Sequence, residues 1–156
     1  MPIKPENQAR YPRDWPRISG EAKVRARWQC QHPGCCARQY SVGRWLPDAA
    51  GVLAWKPHAD HAESYAQARQ FAAEYSFFLF GDEPAGEHPV IVIVLTVAHL
   101  NHQPEDCRPE NLAAMCQRHH LAYDHEHHRI NAWHTRRARQ LTGELFELQP
   151  ANGSPA

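Results

Sequence analysis

The chain has 156 residues, of which 42% are hydrophobic and 22% charged, the profile of one ordinary globular domain. Seventeen basic side chains balance seventeen acidic ones, which excludes a protein that coats nucleic acid by bulk charge alone. No run approaches the about 18 consecutive apolar residues of a membrane span, and the 12 His and 5 Cys point instead to metal chemistry.

Residues 1–17 are Pro-rich and polar, which predicts an extended arm with no signal-peptide core. A cytoplasmic, reducing location is therefore expected, where cysteines serve as ligands rather than as disulfides. Ser19 can cap a short helix over 20–28, with Glu21 in the first turn and Val24 and Trp28 on one face. A turn-rich segment follows at 30–36. The Ala-rich stretch 58–75 predicts a helix, 77–80 a short strand and 81–89 a loop. The apolar, β-branched run from Val90 predicts a strand to 100, and 101–109, with two prolines, a polar loop. Two further helices are expected, over 116–127 and 131–140, before a disordered tail at 146–156.

Charge is segregated along this order. Residues 1–46 carry nine Lys or Arg against three acids, and residues 47–97 carry two against seven. The stretch 129–140 holds four Arg and no acid. Basic faces at separated points of a chain can converge on a phosphate backbone, although solubility alone gives the same pattern.

Cys30 and Cys35 flank four residues that include Pro33 and Gly34. A Pro-Gly turn between two cysteines makes a knuckle that aims both thiolates at one ion. Tetrahedral zinc needs two more ligands, and Cys116 and His119, three apart at a helix start, are the natural second hook. Cys36 competes with Cys35 for its place, and buried free cysteines are the alternative to a metal site. If His119 faces the zinc, His120 must face elsewhere, because helix neighbours point about 100° apart. His120 and Asp124 are four apart, so they can share a second ion, or Asp124 can orient the imidazole. Phe71, Phe77, Phe78 and Phe80 fall within ten residues and read most simply as core.

The stretch from Leu95 to His102 reads LTVAHLNH, followed by PENL from Pro109 and CQRHHLAYD from Cys116. With YPRDWPRIS from Tyr11 and WQCQHPGC from Trp28, it resembles the zinc-containing HNH endonucleases of bacteria and phage. The resemblance covers roughly residues 11–45 and 90–140 and leaves 46–89 as an insert within a single domain spanning 18–145. It implies an α+β fold: a ββα-metal (His-Me) finger with a structural zinc site and an inserted helical segment. The first strand would end near Ala98, a short second strand would cover 112–115, and the helix would start at Cys116. The resemblance further implies that His99 is the general base and Asn111 its positioning residue. His120 would bind the catalytic Mg²⁺, Mn²⁺ or related ion, with Asp124 and His102 as further ligands. Arg129, Arg136, Arg137 and Arg139 would follow the DNA backbone. Ala98 stands where many members carry an acidic or His ligand, and Asn101 where related sequences carry Asp. One such finger makes one nick, so double-strand cutting would need a homodimer or a larger phage or host complex. A zinc-stabilised binding module without cleavage and a protein-interaction domain built on 71–80 are the rival readings.

Overall fold

The computed structural model describes residues 8–59, 62–82 and 86–147. The side chains of residues 59, 139 and 141–147 lie outside that description. The fold is α+β; among the described residues there are three α-helices and two small antiparallel sheets. It divides into two compact units, residues 1–120 and 121–156.

Helix α1 spans Trp15–Arg25, so the expected arm turns helical five residues earlier than its prolines suggest. Pro16 lies in the first turn, where its fixed φ suits a helix and its missing N–H would have had no partner. Arg17 pairs with both Asp14 and Glu21, reinforcing the same turn. Ser19 is therefore not a cap; its hydroxyl donates to the Pro16 carbonyl inside the helix. Arg27 and Trp28, both at positive φ, end the element.

Strands β1 (Val42–Pro47) and β2 (Leu53–Ala59) form an antiparallel hairpin. The turn is set by Asp48, whose Oδ1 accepts from the Ala50 and Val52 amides. Gly43 has no alternative: a Cβ there would lie 2.2 Å from the Lys56 carbonyl oxygen. Helix α2 covers Tyr65–Phe80, capped by the Ser64 hydroxyl on the Gln67 amide. Two expectations fail here. The helix starts later than 58, because 53–59 is a strand, and 77–80 is its last turn rather than a strand. The segment expected as a helical insert thus supplies a strand and a helix, and its Trp55 is buried in the main core.

The single strand expected from Val90 to 100 is two. Strand β3, Ile91–Val92, pairs with β1, and β4, Thr96–His99, pairs with β5, Leu112–Met115. Between them Ile93 exchanges backbone bonds with Tyr40 and Ser41, and the Leu95 amide donates to Gln39 Oε1. The chain thus passes from one sheet to the other with Ile93 and Leu95 buried. The order β2-β1-β3 forms one sheet and β4-β5 the second. The main core gathers Cys30, Ala37, Trp55, Ile93, Leu95, Ala98, Ala113, Met115 and Cys116. A smaller cluster of Val42, Ala62 and Ala68 is packed by Phe71 and neighbours from β3.

Helix α3 runs without a break over Gln117–Glu147, where two helices are expected from the sequence. No Gly or Pro interrupts residues 117–142, and the His-rich stretch 125–128 is no breaker. Of the expected tail, residues 146 and 147 continue the helix and 148–156 lie outside the described residues. Among the described residues no helix is long and apolar enough to cross a membrane.

Candidate functional site

The ligand atoms of Cys30, Cys35, Cys116 and His119 all lie within 4.8 Å of one another. His119 Nδ1 is 3.6 Å from Cys30 Sγ and 3.3 Å from Cys116 Sγ. Zn–S and Zn–N bonds of about 2.3 and 2.0–2.1 Å place S and N about 3.6 Å apart on a tetrahedral ion. The donor set and spacing fit zinc.

Each ligand is held by its local fold. Gly34 at φ +75° and the Cys35 amide bonded to the His32 carbonyl close the knuckle. The knuckle is then clamped to β5 through Gln31, whose amide donates to the Ala114 carbonyl while its Oε1 accepts from the Ala114 amide. Cys116 follows β5 directly, and His119 lies in the first turn of α3. The His32 ring stacks on His119 at 3.8 Å, and the Trp45 edge meets it at 5.5 Å. Cys36 is exposed, with its thiol toward the Trp55 carbonyl, and does not enter the cluster. Hydrogen bonds from Cys116 and then Cys35 drive the Cys30 thiol strongly down. Cys35 is driven up, chiefly by Cys116, and Cys116 is driven up, chiefly by Cys30. Three thiols this close compete for one negative charge unless a cation shares their space.

A second centre forms at the far end of the β4–β5 hairpin, where His99 stands opposite Leu112. His99 is only 8% exposed. Its ring stacks on Trp15 at 4.9 Å and meets the edge of Tyr11 at 5.7 Å. Burial is the main cause that holds the imidazole below its ordinary pKa, opposed by Asp106 and Glu105 and assisted by His120. The ring is therefore held toward its neutral form.

Asn111, buried before β5, organises the loop that carries this end. Its Nδ2 donates to Asn101 Oδ1 at 2.9 Å and to the Asp106 carbonyl at 2.7 Å, and its Oδ1 accepts from the Asn101 amide. Asn101 is spent inside the loop: its Nδ2 donates to Asp106 and its Oδ1 also accepts from Gln103. Asp106 is held to about 2, first by the Arg108 guanidinium. His102 sits in this loop at φ +56°, a left-handed conformation uncommon outside glycine. Ala98 is buried in the main core. His120 Nδ1 and Thr96 Oγ1 share a short hydrogen bond.

In the second unit, Asp124 pairs with His128 Nε2 at 3.8 Å. Arg129 is committed to Glu126 by bonds of 2.6 and 2.9 Å. Arg136 and Arg137 are exposed, the latter over the Trp133 ring. The Arg139 side chain lies outside the described residues. No second group of three metal-binding side chains forms among the described residues, so His102, His120 and Asp124 are not gathered as a cluster.

Sequence reasoning missed Tyr11, Trp15, Gln31 and Cys107, which touch the two centres. Trp15 was legible in principle, since Asp14-Trp-Pro is a helix-start signature. Gln31 and Cys107 act through contacts distant in sequence and leave no local pattern. Among family models, curated proteins and solved structures, no match to this chain is found.

Proposed function

We propose that the protein is a zinc-stabilised, metal-dependent DNA endonuclease or nickase of the HNH type, acting in the cytoplasm. The observation that carries this reading is the arrangement around His99. A buried, neutral imidazole ends the first strand of a hairpin, a buried Asn ties down the intervening loop, and a helix follows the second strand. That order is the one a ββα-metal finger requires.

In this reading His99 accepts the proton of a water that attacks phosphorus, and an imidazole held neutral is suited to that step. Asn111 acts through the loop, keeping the strand end and His99 in register. A divalent ion would stabilise the leaving oxygen. His120, whose charge bears on His99, would be the chain's own ligand for it, the rest of the shell coming from water and phosphate oxygens as is usual for Mg²⁺ and Mn²⁺. The exposed Arg136 and Arg137 would meet the DNA backbone.

A second reading, a nucleic-acid-binding module without cleavage, is favoured by two positions. Ala98 points into the core and Asn101 is fully engaged within its loop, so neither supplies a carboxylate beside His99. The deciding experiment is plasmid nicking by purified protein in Mg²⁺, Mn²⁺ and Ni²⁺, beside His99→Ala. Nicking that vanishes in the variant supports the nuclease. Salt-dependent DNA binding with no nicking in any metal supports the module. Absence of both rejects the two readings together.

A further inference from the structure

The loop between β4 and β5 contains a thiol that the proposed chemistry does not use. Cys107 Sγ lies 3.7 Å from His99 Nε2 and 3.4 Å from the Pro104 carbonyl oxygen. A thiol has one hydrogen, and a carbonyl oxygen can only accept. The Cys107 S–H therefore donates to Pro104, and the sulfur meets the imidazole with its lone pairs. Nε2 must then be the nitrogen that carries the proton.

We infer that Cys107 is a positioning residue for His99: its sulfur accepts from Nε2–H, fixes that tautomer, and leaves the Nδ1 lone pair as the basic atom. The surroundings agree. Trp15 covers one ring face and Tyr11 meets the ring edge-on, so the ring is confined from more than one side. Nδ1 has no hydrogen-bond partner among the described residues. Fully buried, unpartnered side-chain polar atoms there are confined to Trp55 Nε1 and Gln117 Oε1, so Nδ1 is not sealed from solvent. Burial and the nearby carboxylates raise the Cys107 pKa, which keeps the thiol hydrogen in place for Pro104. The logic is that of a buried acceptor setting the tautomer of a catalytic histidine, with sulfur in the place of a carboxylate or carbonyl.

The consequence for catalysis rests on His99 being the general base, but the tautomer does not, and one experiment separates them. The full-length chain is ¹⁵N-labelled, and the His99 ring is followed by long-range ¹H–¹⁵N correlation, assigned with His99→Asn. Wild type and Cys107→Ser should show Nε2 protonated and Nδ1 unprotonated, because a serine hydroxyl can make both contacts. Cys107→Val and Cys107→Ala should move both shifts toward the average of the two tautomers and speed exchange of the ring N–H. If the protein nicks DNA, those two variants should lose about tenfold to a hundredfold in rate, with Cys107→Ser retaining most of it. An Nδ1–H form in wild type overturns the inference without need of any variant. Wild-type shifts in a folded Cys107→Val or Cys107→Ala chain overturn it as well. A protein with the Cys107-dependent Nε2–H signature that cuts no DNA would refute the nuclease and keep the positioning role.

Discussion

The two ends of the β4–β5 hairpin carry centres built on opposite plans. At the Met115 end, four ligands from the knuckle, the strand exit and the first turn of α3 close on one small volume, each fixed by its own backbone bonds. At the His99 end, a single imidazole faces an aromatic wall on one side and a hydrogen-bonded loop on the other. The first plan satisfies every ligand internally and leaves nothing to offer a substrate. The second leaves one nitrogen uncommitted. Closure suits a structural role and openness a chemical one.

The contrast is broken most severely by removing a ligand from the closed centre. Cys116→Ser, or a strong chelator, should abolish the folded state, because structural zinc binding in small sites contributes about 10–16 kcal/mol of apparent folding energy. Circular dichroism with metal analysis checks this, with about one zinc per folded chain expected. A chain that stays folded without zinc would remove the distinction. His99→Ala should instead lower the melting temperature only by the loss of one buried, ring-packed side chain, far less than Cys116→Ser, and cut nicking by about 10²-fold or more. A melting temperature that drops as far as in Cys116→Ser would make His99 a structural residue.

Asn111→Ala should fall between the two. It strands buried partners in the loop, with an expected cost of about 2 kcal/mol in denaturant titration, and it should slow nicking as His99 loses its support. Acid sharpens the comparison further. His99 has a folded pKa below its unfolded one, so the folded state binds fewer protons. Its contribution to stability is present above the unfolded value and is lost as pH falls through the folded value. Nicking should fall over the same acid window, with its half-point below that of ordinary imidazole, and a half-point at or above the ordinary value would refute the burial argument. The smallest effect is expected from Arg136→Ala with Arg137→Ala. Two lost phosphate contacts should lower the slope of log affinity against log salt by about 1.8, without touching the melting temperature or the His99 tautomer.

Legibility in the sequence followed the same division. The zinc ligands announce themselves because each pair sits in a local signature, a Pro-Gly knuckle and a Cys-x-x-His at a strand-to-helix junction. The choice of Cys35 over Cys36 was legible too, since the turn aims the first of them. Strand β5 and the start of α3 agree with the expected order. What failed was decided by tertiary contacts or by an overlooked turn. The run from Val90 reads as one strand because it is almost wholly apolar and β-branched, yet pairing with β1 and then β5 splits it. The β1–β2 hairpin carried a usable signal in Asp48 and Gly51 that apolar periodicity alone did not weigh. The core reading of the phenylalanines holds for Phe71, which packs on the smaller cluster, but Phe77 and Phe78 are 67% and 81% exposed. Phe78 lies seven residues after Phe71, on nearly the same face of α2, so helix periodicity alone gave no warning that the end of this helix stays exposed.

The Gln31 clamp and the four ligands join parts of the chain that are made far apart in time. Eighty residues separate Cys35 from Cys116. At about 5–20 residues per second, the ribosome needs roughly 4 to 16 s to bridge that interval. During it the knuckle has two thiols and no second hook, and β5, to which Gln31 bonds, does not yet exist. The nascent chain must therefore keep Cys30 and Cys35 reduced and unclaimed until Cys116 and His119 have been made. That interval is the one in which these two thiols stand open to oxidation or to another metal.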